Sequence, residues 1–462
     1  MEGSCGCSET APVGGRRCCH GRVEAHRAQH PLAYARHLAG LSQTDLAEGV
    51  RRAALRRDRR AGTTKQQVSA WERPDARPPD PWYQLLIAEA LGVDPADVTA
   101  LGWPYWLPGS EAPLPLGSGL TVAALREAQR RAMLDRRSML TFAPAVLVAF
   151  AHQWASLDPA LASATVDGKR VDPEFVDWLE SSVHQLTSLT TADRQHSAPL
   201  LDSYYDTVTG LLDHADYSEA TGSRLFTLAS SLAQTIGWHK FDHEHHEAAG
   251  RYWNAALHSA HQAGDTDRGA GVLSDLAYQS VWLGQAAPAV EVLQHALTRT
   301  KDPTARSLLH LRQARAYAML GDGRACRRAL DAAEHHLEAA TGSPPGWCAW
   351  MSAADLAVDA GRCLIDLGEP GPAHREITTG VSLLPAARDK THAVFLSYEA
   401  ESLLRQGEVD QSAATAYQAL ALAQNTGAGR CIRQVSGLAP RLGAFRGVEG
   451  VDRFLDTVKA AA

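Results

Sequence analysis

Ala314-Arg315-Ala316-Tyr317-Ala318-Met319-Leu320-Gly321-Asp322, followed by an apolar Leu330 and a small Ala333, sets the frame in which most of this chain is read. An alanine-rich run ending on glycine before a polar turn is the text of a helix with its C-terminal stop. The same frame returns with Gly284, Gly321, Gly368 and Gly407 in the stopping place, at intervals of 37, 47 and 39 residues. Seven residues before each glycine stands a small residue, Ala277, Ala314, Gly361 or Ala400, and twelve after it another, Ala296, Ala333, Gly380 or Ala419. Nine after it comes Leu293, Leu330, Ile377 or Ala416, apolar as a packing position requires. Small side chains at paired places let two helices approach closely. Units of this length stack on their neighbours and share a core. Gly237, Ala249, Trp253 and Ala256 sit at matching offsets and mark an earlier, degenerate unit, and the 47-residue interval implies a loop around Thr341 to Gly346.

This pattern resembles the tetratricopeptide repeat over roughly Leu225 to Asn425, with Tyr317 and Pro385 also in family positions and with Gly361, Gly380 and Ser412 departing from the usual alanine. The resemblance implies a superhelix whose concave wall is lined by the first helix of each pair. The residue after each small anchor, Trp238, Tyr278, Arg315, Arg362 or Glu401, would then face the groove. Two arginines and two aromatics suit an extended peptide and its carboxylate; the same residues also suit surface and inter-repeat packing. His243, His245 and His246 fall in the turn of the first unit and read as a solvated loop rather than a metal site.

A different text precedes the repeats. Leu41-Ser42-Gln43-Thr44-Asp45-Leu46-Ala47 and Gly62-Thr63-Thr64-Lys65-Gln66-Gln67-Val68-Ser69-Ala70-Trp71-Glu72 read as two short helices, each opened by a hydroxyl cap. Ser42 caps the first, so Gln43 sits where backbone amides meet a phosphate. Gly62 supplies turn freedom, Thr63 or Thr64 caps the second helix, and Lys65, Gln66, Gln67 and Ser69 crowd its first turns with groups that reach base edges. Val68 and Trp71 share a face with Leu46, which predicts a small common core. The two stretches resemble the XRE family of helix-turn-helix regulators, to which the lambda and 434 repressors and Cro belong. That resemblance implies a DNA-reading second helix. Residues 49–61 intervene where the family has a short turn, carrying Arg51, Arg52, Arg56, Arg57, Arg59 and Arg60. They read as a lengthened first helix with a phosphate-facing arginine edge, or as a merely solvated charged helix.

Charge separates the two texts. Residues 1–77 hold 14 basic and 8 acidic side chains, a net +6, while the whole chain carries −7, which leaves −13 for the remainder. A basic head on an acidic body suits a duplex-binding module joined to a domain that stays off DNA. At 462 residues with 45% hydrophobic content the chain can bury a large core, and its alanine and leucine point to helices throughout. Cys326, Cys348, Cys363 and Cys431 are scattered, as in a reducing compartment. Cys5, Cys7, Cys18, Cys19 and His20 match no standard zinc spacing and read as a disordered tail. Asp135-Arg136-Arg137-Ser138 before the apolar run Ala143 to Ala151 imitates an export signal, yet it lies too far inside the chain and is too short to span a bilayer.

The expectation is therefore an all-α chain: a disordered tail at 1–29, a helix-turn-helix head at 30–107 closed by Trp103 and Trp106, a Pro/Gly/Ser linker at 108–120, a helical connecting region at 121–224, and a tetratricopeptide-like α-solenoid at 225–462. This architecture resembles a Streptomyces-type group of large actinobacterial regulators, with counterparts of Asp135 to Ser138 and of Gly237-Trp238 with Asp242. In architecture alone it is also similar to the peptide-sensing regulators of other Gram-positive bacteria. The expected partners are double-stranded DNA, a second copy of the chain, and a signalling peptide or protein in the repeat groove, with no membrane. The alternative is an adaptor whose repeats bind a protein partner and whose head reads no defined sequence. There is no phosphate loop, no Gly-x-Ser-x-Gly elbow and no His-Glu-x-x-His pair, so neither an enzyme nor a cofactor or metal is expected, and the protein reads as cytoplasmic.

Overall fold

The computed structural model describes residues 30–461 apart from 74–75, 94, 96–97, 100–101, 108–113, 115, 117–119, 135–143, 158–169, 188–190, 386–387 and 428. The cysteine-rich tail, the Arg136-Arg137 pair and Pro385's neighbours 386–387 thus lie wholly or partly outside the described residues. The described regular elements are all helices, and none is long and apolar enough to cross a membrane. The chain divides into two compact units, 1–110 and 111–462.

The head holds α1 (Pro31–Leu38), α2 (Gln43–Leu55), α3 (Lys65–Trp71) and α4 (Pro81–Ala90). Ser42 caps α2 reciprocally: its Oγ accepts from the Asp45 amide at 3.1 Å while its own amide donates to Asp45 Oδ2 at 2.8 Å. Leu46, Val50, Val68, Leu86 and Ile87 are fully buried and form the core. Gly49 lets α2 and α4 meet, since a Cβ there would stand 2.9 Å from that of Ala90. Trp71 is only half-buried and leans on Tyr83 with ring centroids 5.4 Å apart, a more peripheral place than its spacing predicts. Trp106 is buried and donates through Nε1 to Gln84 at 3.3 Å, which folds the last turn back onto the head.

In the second unit the connecting region supplies α5 (Thr121–Leu134), α6 (Pro144–Ser156), α7 (Pro173–Thr187) and α8 (Thr191–His214). Five antiparallel pairs follow: α9 (Glu219–Asp242) with α10 (His246–Ala263), α11 (Thr266–Trp282) with α12 (Ala286–Leu297), α13 (Pro303–Met319) with α14 (Gly323–Glu338), α15 (Ala353–Asp366) with α16 (Pro370–Leu383), and α17 (Asp389–Gln406) with α18 (Val409–Asn425). Gly284, Gly321, Gly368 and Gly407 each turn the chain inside a pair with φ between 75° and 87°. In the first pair that place falls to Glu244, whose φ is 65°, so Gly237 is this unit's small anchor and not its turn. First helices of successive pairs touch one another from α11 through α17 and build one wall.

No boundary separates the connecting region from the repeats. One core runs from Leu116 through Trp154, Tyr205 and Trp253 to Ala316, and the first repeat helix begins at Glu219 rather than Leu225. Part of the expected linker belongs to this body as well: Leu114 and Leu116 are buried, the Leu114 carbonyl lies 2.8 Å from His258 Nε2, and Gln153 brackets the Leu116 backbone at 3.0 and 3.3 Å. The hydrogen bonds at Leu114 and Leu116 satisfy backbone groups that burial takes away from water. The loop expected at 341–346 runs between α14 and α15 and carries Trp347, which occupies the space where a Cβ on Gly271 would stand 2.5 Å away.

Candidate functional site

Two surfaces answer to the residues singled out in the sequence. On the head, α2 is lengthened to Leu55, and the turn after it is made by Asp58 at φ 53°. Gly62 has open space around it and no left-handed backbone, so the turn freedom assigned to it is exercised four residues earlier. Thr64 is the cap of α3, accepting from the Gln67 amide at 3.3 Å. Thr63 is 1% exposed, its carbonyl accepts from Arg51 at 2.6 Å and its hydroxyl oxygen is buried, so it offers no group to a ligand at the surface. Lys65, Gln66 and Ser69 are exposed and Gln67 half-buried.

Glu72 organises the surroundings. Arg36, buried with it, donates to both of its oxygens at 2.6 and 3.2 Å and to the Leu41 carbonyl at 2.7 Å, while Gln43 donates to Glu72 at 2.6 Å. The Gln43 amide nitrogen is thereby committed inside the head rather than held out toward a phosphate. A buried, doubly bonded ion pair fixes geometry more than it adds stability. Beside it opens a cleft walled by Arg36, residues 40–44 and Lys65. The arginine edge is largely spent on the head itself: Arg56 and Arg57 both pair with Glu89, and Arg59 lies 5.0 Å from the centre of the Trp82 ring. Arg52 and Arg60 stay exposed.

On the repeat wall, the five expected groove residues come together with their neighbours in two clusters. Trp238 and Tyr278 stand 5.7 Å apart beside Phe241 and Trp253. Arg315 and Arg362 flank the Tyr398 ring at 5.6 and 5.2 Å. Each arginine already holds a carboxylate: Arg315 bonds Asp359 at 2.6 Å, and Arg362 bonds Asp366 and Glu401, both at 2.6 Å. Glu401, the fifth, also accepts from Arg405 and Arg441. Burial works against its ionisation, but Arg362 and Arg405 prevail and hold its carboxyl below the ordinary range.

The wall is broader than one position per repeat. Residues three before and four after each expected one share its helical face. Asp275, Arg312, Asp359 and Tyr398 form the first of these rows, and Asp242, Asp366 and Arg405 belong to the second. Asp275 accepts from Gln234 at 2.7 Å, and burial pushes its carboxyl up to about 7 against the pull of Gln234 and Arg312. The residue that sequence reasoning had no means to find is Arg430, at the start of α19 (Gly429–Ser436) beyond the last repeat. It bonds Asp242 at 3.1 Å and the Tyr278 hydroxyl at 3.1 Å and lies over Phe241 and Trp282, while Lys390 pairs with the same Asp242. Burial opposes the charge on Asp242, yet Lys390 and Arg430 keep its carboxyl below its usual value. The first pair is thus tied to the last repeat and to the helix after it.

Around the first turn, His239 and His243 have ring centroids 4.4 Å apart, and burial drives His239 down to about 4. Among the described residues no three His, Cys, Asp or Glu side chains converge to hold a metal ion.

No family model and no curated protein matches this chain. Among solved structures it is similar to a Rap protein crystallised in complex with competence and sporulation factor, with 12% identity and a TM-score of 0.40, the match spanning 62% of this chain and 98% of that one.

Proposed function

We propose that this chain is a transcription regulator of the XRE class, in which the head reads double-stranded DNA as part of a homodimer and the repeat groove receives an extended ligand that controls it. The observation that carries the reading is the exposed donor set of Lys65, Gln66 and Ser69 on α3, next to the cleft walled by Arg36 and residues 40–44. Amide side chains of that length meet adenine edges, and an ammonium meets guanine. The net +6 of residues 1–77 against a chain at −7 concentrates affinity for phosphate at one end. Arg52 and Arg60, the exposed remainder of the arginine edge, supply backbone contacts in this reading, and Arg56 contributes only by giving up Glu89.

Genomic footprinting with the full chain tests it. Discrete, pseudo-palindromic sites are expected, spaced for two heads on one face of the duplex. Alanine at Lys65, Gln66 and Gln67 together removes about 1 to 3 kcal/mol per lost base contact and relaxes sequence preference, with circular dichroism unchanged. Diffuse footprints, or unchanged operator affinity in the triple variant, favour an adaptor whose head has no sequence to read.

A further inference from the structure

Every arginine described above on the groove wall has a carboxylate except one. Arg315, Arg362, Arg405 and Arg430 are bonded to Asp359, to Asp366 and Glu401, to Glu401, and to Asp242. Arg312, one turn before Arg315 on α13, is 8% exposed and makes no hydrogen bond or ion pair, and its Nε faces no acceptor. Its guanidinium lies over the Tyr278 ring, 4.0 Å from the centroid. Asp275, the carboxyl on which its charge acts, is engaged by Gln234, and no ion pair joins the two. A guanidinium taken out of water without an acceptor is costly, and a fold retains one where something else completes it. With Nε buried and no acceptor inside the fold, the planar guanidinium keeps its charge and its donors for an oxyanion, which such a group binds through parallel hydrogen bonds. Tyr278, whose hydroxyl accepts from Arg430, and Trp238 beside it offer aromatic surface to whatever carries that anion.

We propose that Arg312 anchors an oxyanion subsite of the repeat groove, taking the carboxylate or phosphate of the ligand while Trp238 and Tyr278 pack against the group next to it. The subsite rests on reading the groove as a ligand site. It also relocates the anion from Arg315 and Arg362, which the protein has already neutralised, to the arginine it has not.

The test uses the full chain and three probes at matched ionic strength: inorganic phosphate, a pool of pentapeptides with free C termini, and the same pool amidated. Thermal melting is followed for the wild type, for Arg312→Met, and for Arg324→Gln, an exposed control outside the wall. The wild type and the control rise saturably with phosphate or with the free-carboxylate pool, and which of the two acts names the source of the anion. Arg312→Met weakens that response on the order of 30-fold. Without probes Arg312→Met melts at or above the wild type, because no hydrogen bond or ion pair has been lost and the thioether replaces the cation over the Tyr278 ring with a sulfur–aromatic contact. A lower unliganded midpoint means that the guanidinium serves the fold, and overturns the subsite. Equal responses of wild type and Arg312→Met, or equal responses to free and amidated pools with phosphate silent, also overturn it and leave the groove reading standing. A wild type that responds to none of the three removes both.

Discussion

Asp275 is a single side chain with a measurable consequence for the whole body. Burial holds its carboxyl at about 7, against an ordinary value of 3.8 in the unfolded chain. Between those values the folded protein keeps a proton that the unfolded chain has released, so the contribution of Asp275 to stability is full below pH 3.8 and declines as pH rises toward 7. The span corresponds to on the order of 4 kcal/mol. His239 and His258, both held near 4 by burial, act in the opposite sense below pH 6.5, since the folded state resists protonating them. Comparing wild type with Asp275→Asn isolates the carboxyl. Urea unfolding between pH 5 and 8 should show the variant losing less stability as pH rises, and superimposable profiles would mean that Asp275 is not strained. At this scale the sequence was legible in part. It marked Tyr278, but the row three residues earlier that contains Asp275 and Arg312 requires knowing how wide a strip of each helix faces inward.

The pairing of elements was written in the repeat itself, down to its exceptions. Gly361 and Gly380 depart from alanine because α15 and α16 are pressed together there: a Cβ on Gly380 would stand 2.4 Å from Val358 Cγ2 and 2.7 Å from the Ala354 carbonyl, and one on Gly361 would stand 2.6 Å from Ile377. Ser412 departs for another reason, spending its hydroxyl on the Ala400 carbonyl at 2.7 Å across the last pair. Gly380→Ala therefore forces two helices apart and should cost about 1 to 3 kcal/mol. Gly342→Ala, in open space within the 341–346 loop, should change little. Calorimetric melting of the two variants decides it, and equal midpoints would contradict the close packing. The head's elements were equally legible through Ser42 and Thr64. The left-handed turns were not, because Asp58 and Glu244 take conformations that the chain more often assigns to glycine.

At the scale of the body, the first helix pair is fastened to the far end of the repeats. Asp242 receives both Lys390 and Arg430, and Arg433 pairs with Glu244. Removing the carboxylate leaves the buried Arg430 and the half-buried Lys390 unmatched, and breaking a buried pair in this way costs about 3 to 5 kcal/mol. Asp242→Ala should release α19 from the first pair, so its amides should exchange with solvent on the order of a hundredfold faster or more, while those of α13 hardly change. Unaltered exchange across residues 429–436 would show that the closure rests on apolar contacts alone. A body closed in this way gives any groove ligand a state to oppose, because a ligand shifts an equilibrium only by its preference for one arrangement.

The sequence by itself determined the helices, their pairing, the small residues at their contacts and the basic head, because each follows from neighbours within a turn or from a repeated period. Only the tertiary structure decided which polar groups are spent on one another. Gln43 and Arg36 meet at Glu72, Arg56 and Arg57 at Glu89, Arg315 and Arg362 at carboxylates of the next repeat, and Arg430 at Asp242, 188 residues away. Charge pairing acts through space over a few ångströms and leaves no period in the chain, so Arg312, the arginine among those described on the groove wall that has no carboxylate, could be recognised only after its neighbours on the wall had been matched.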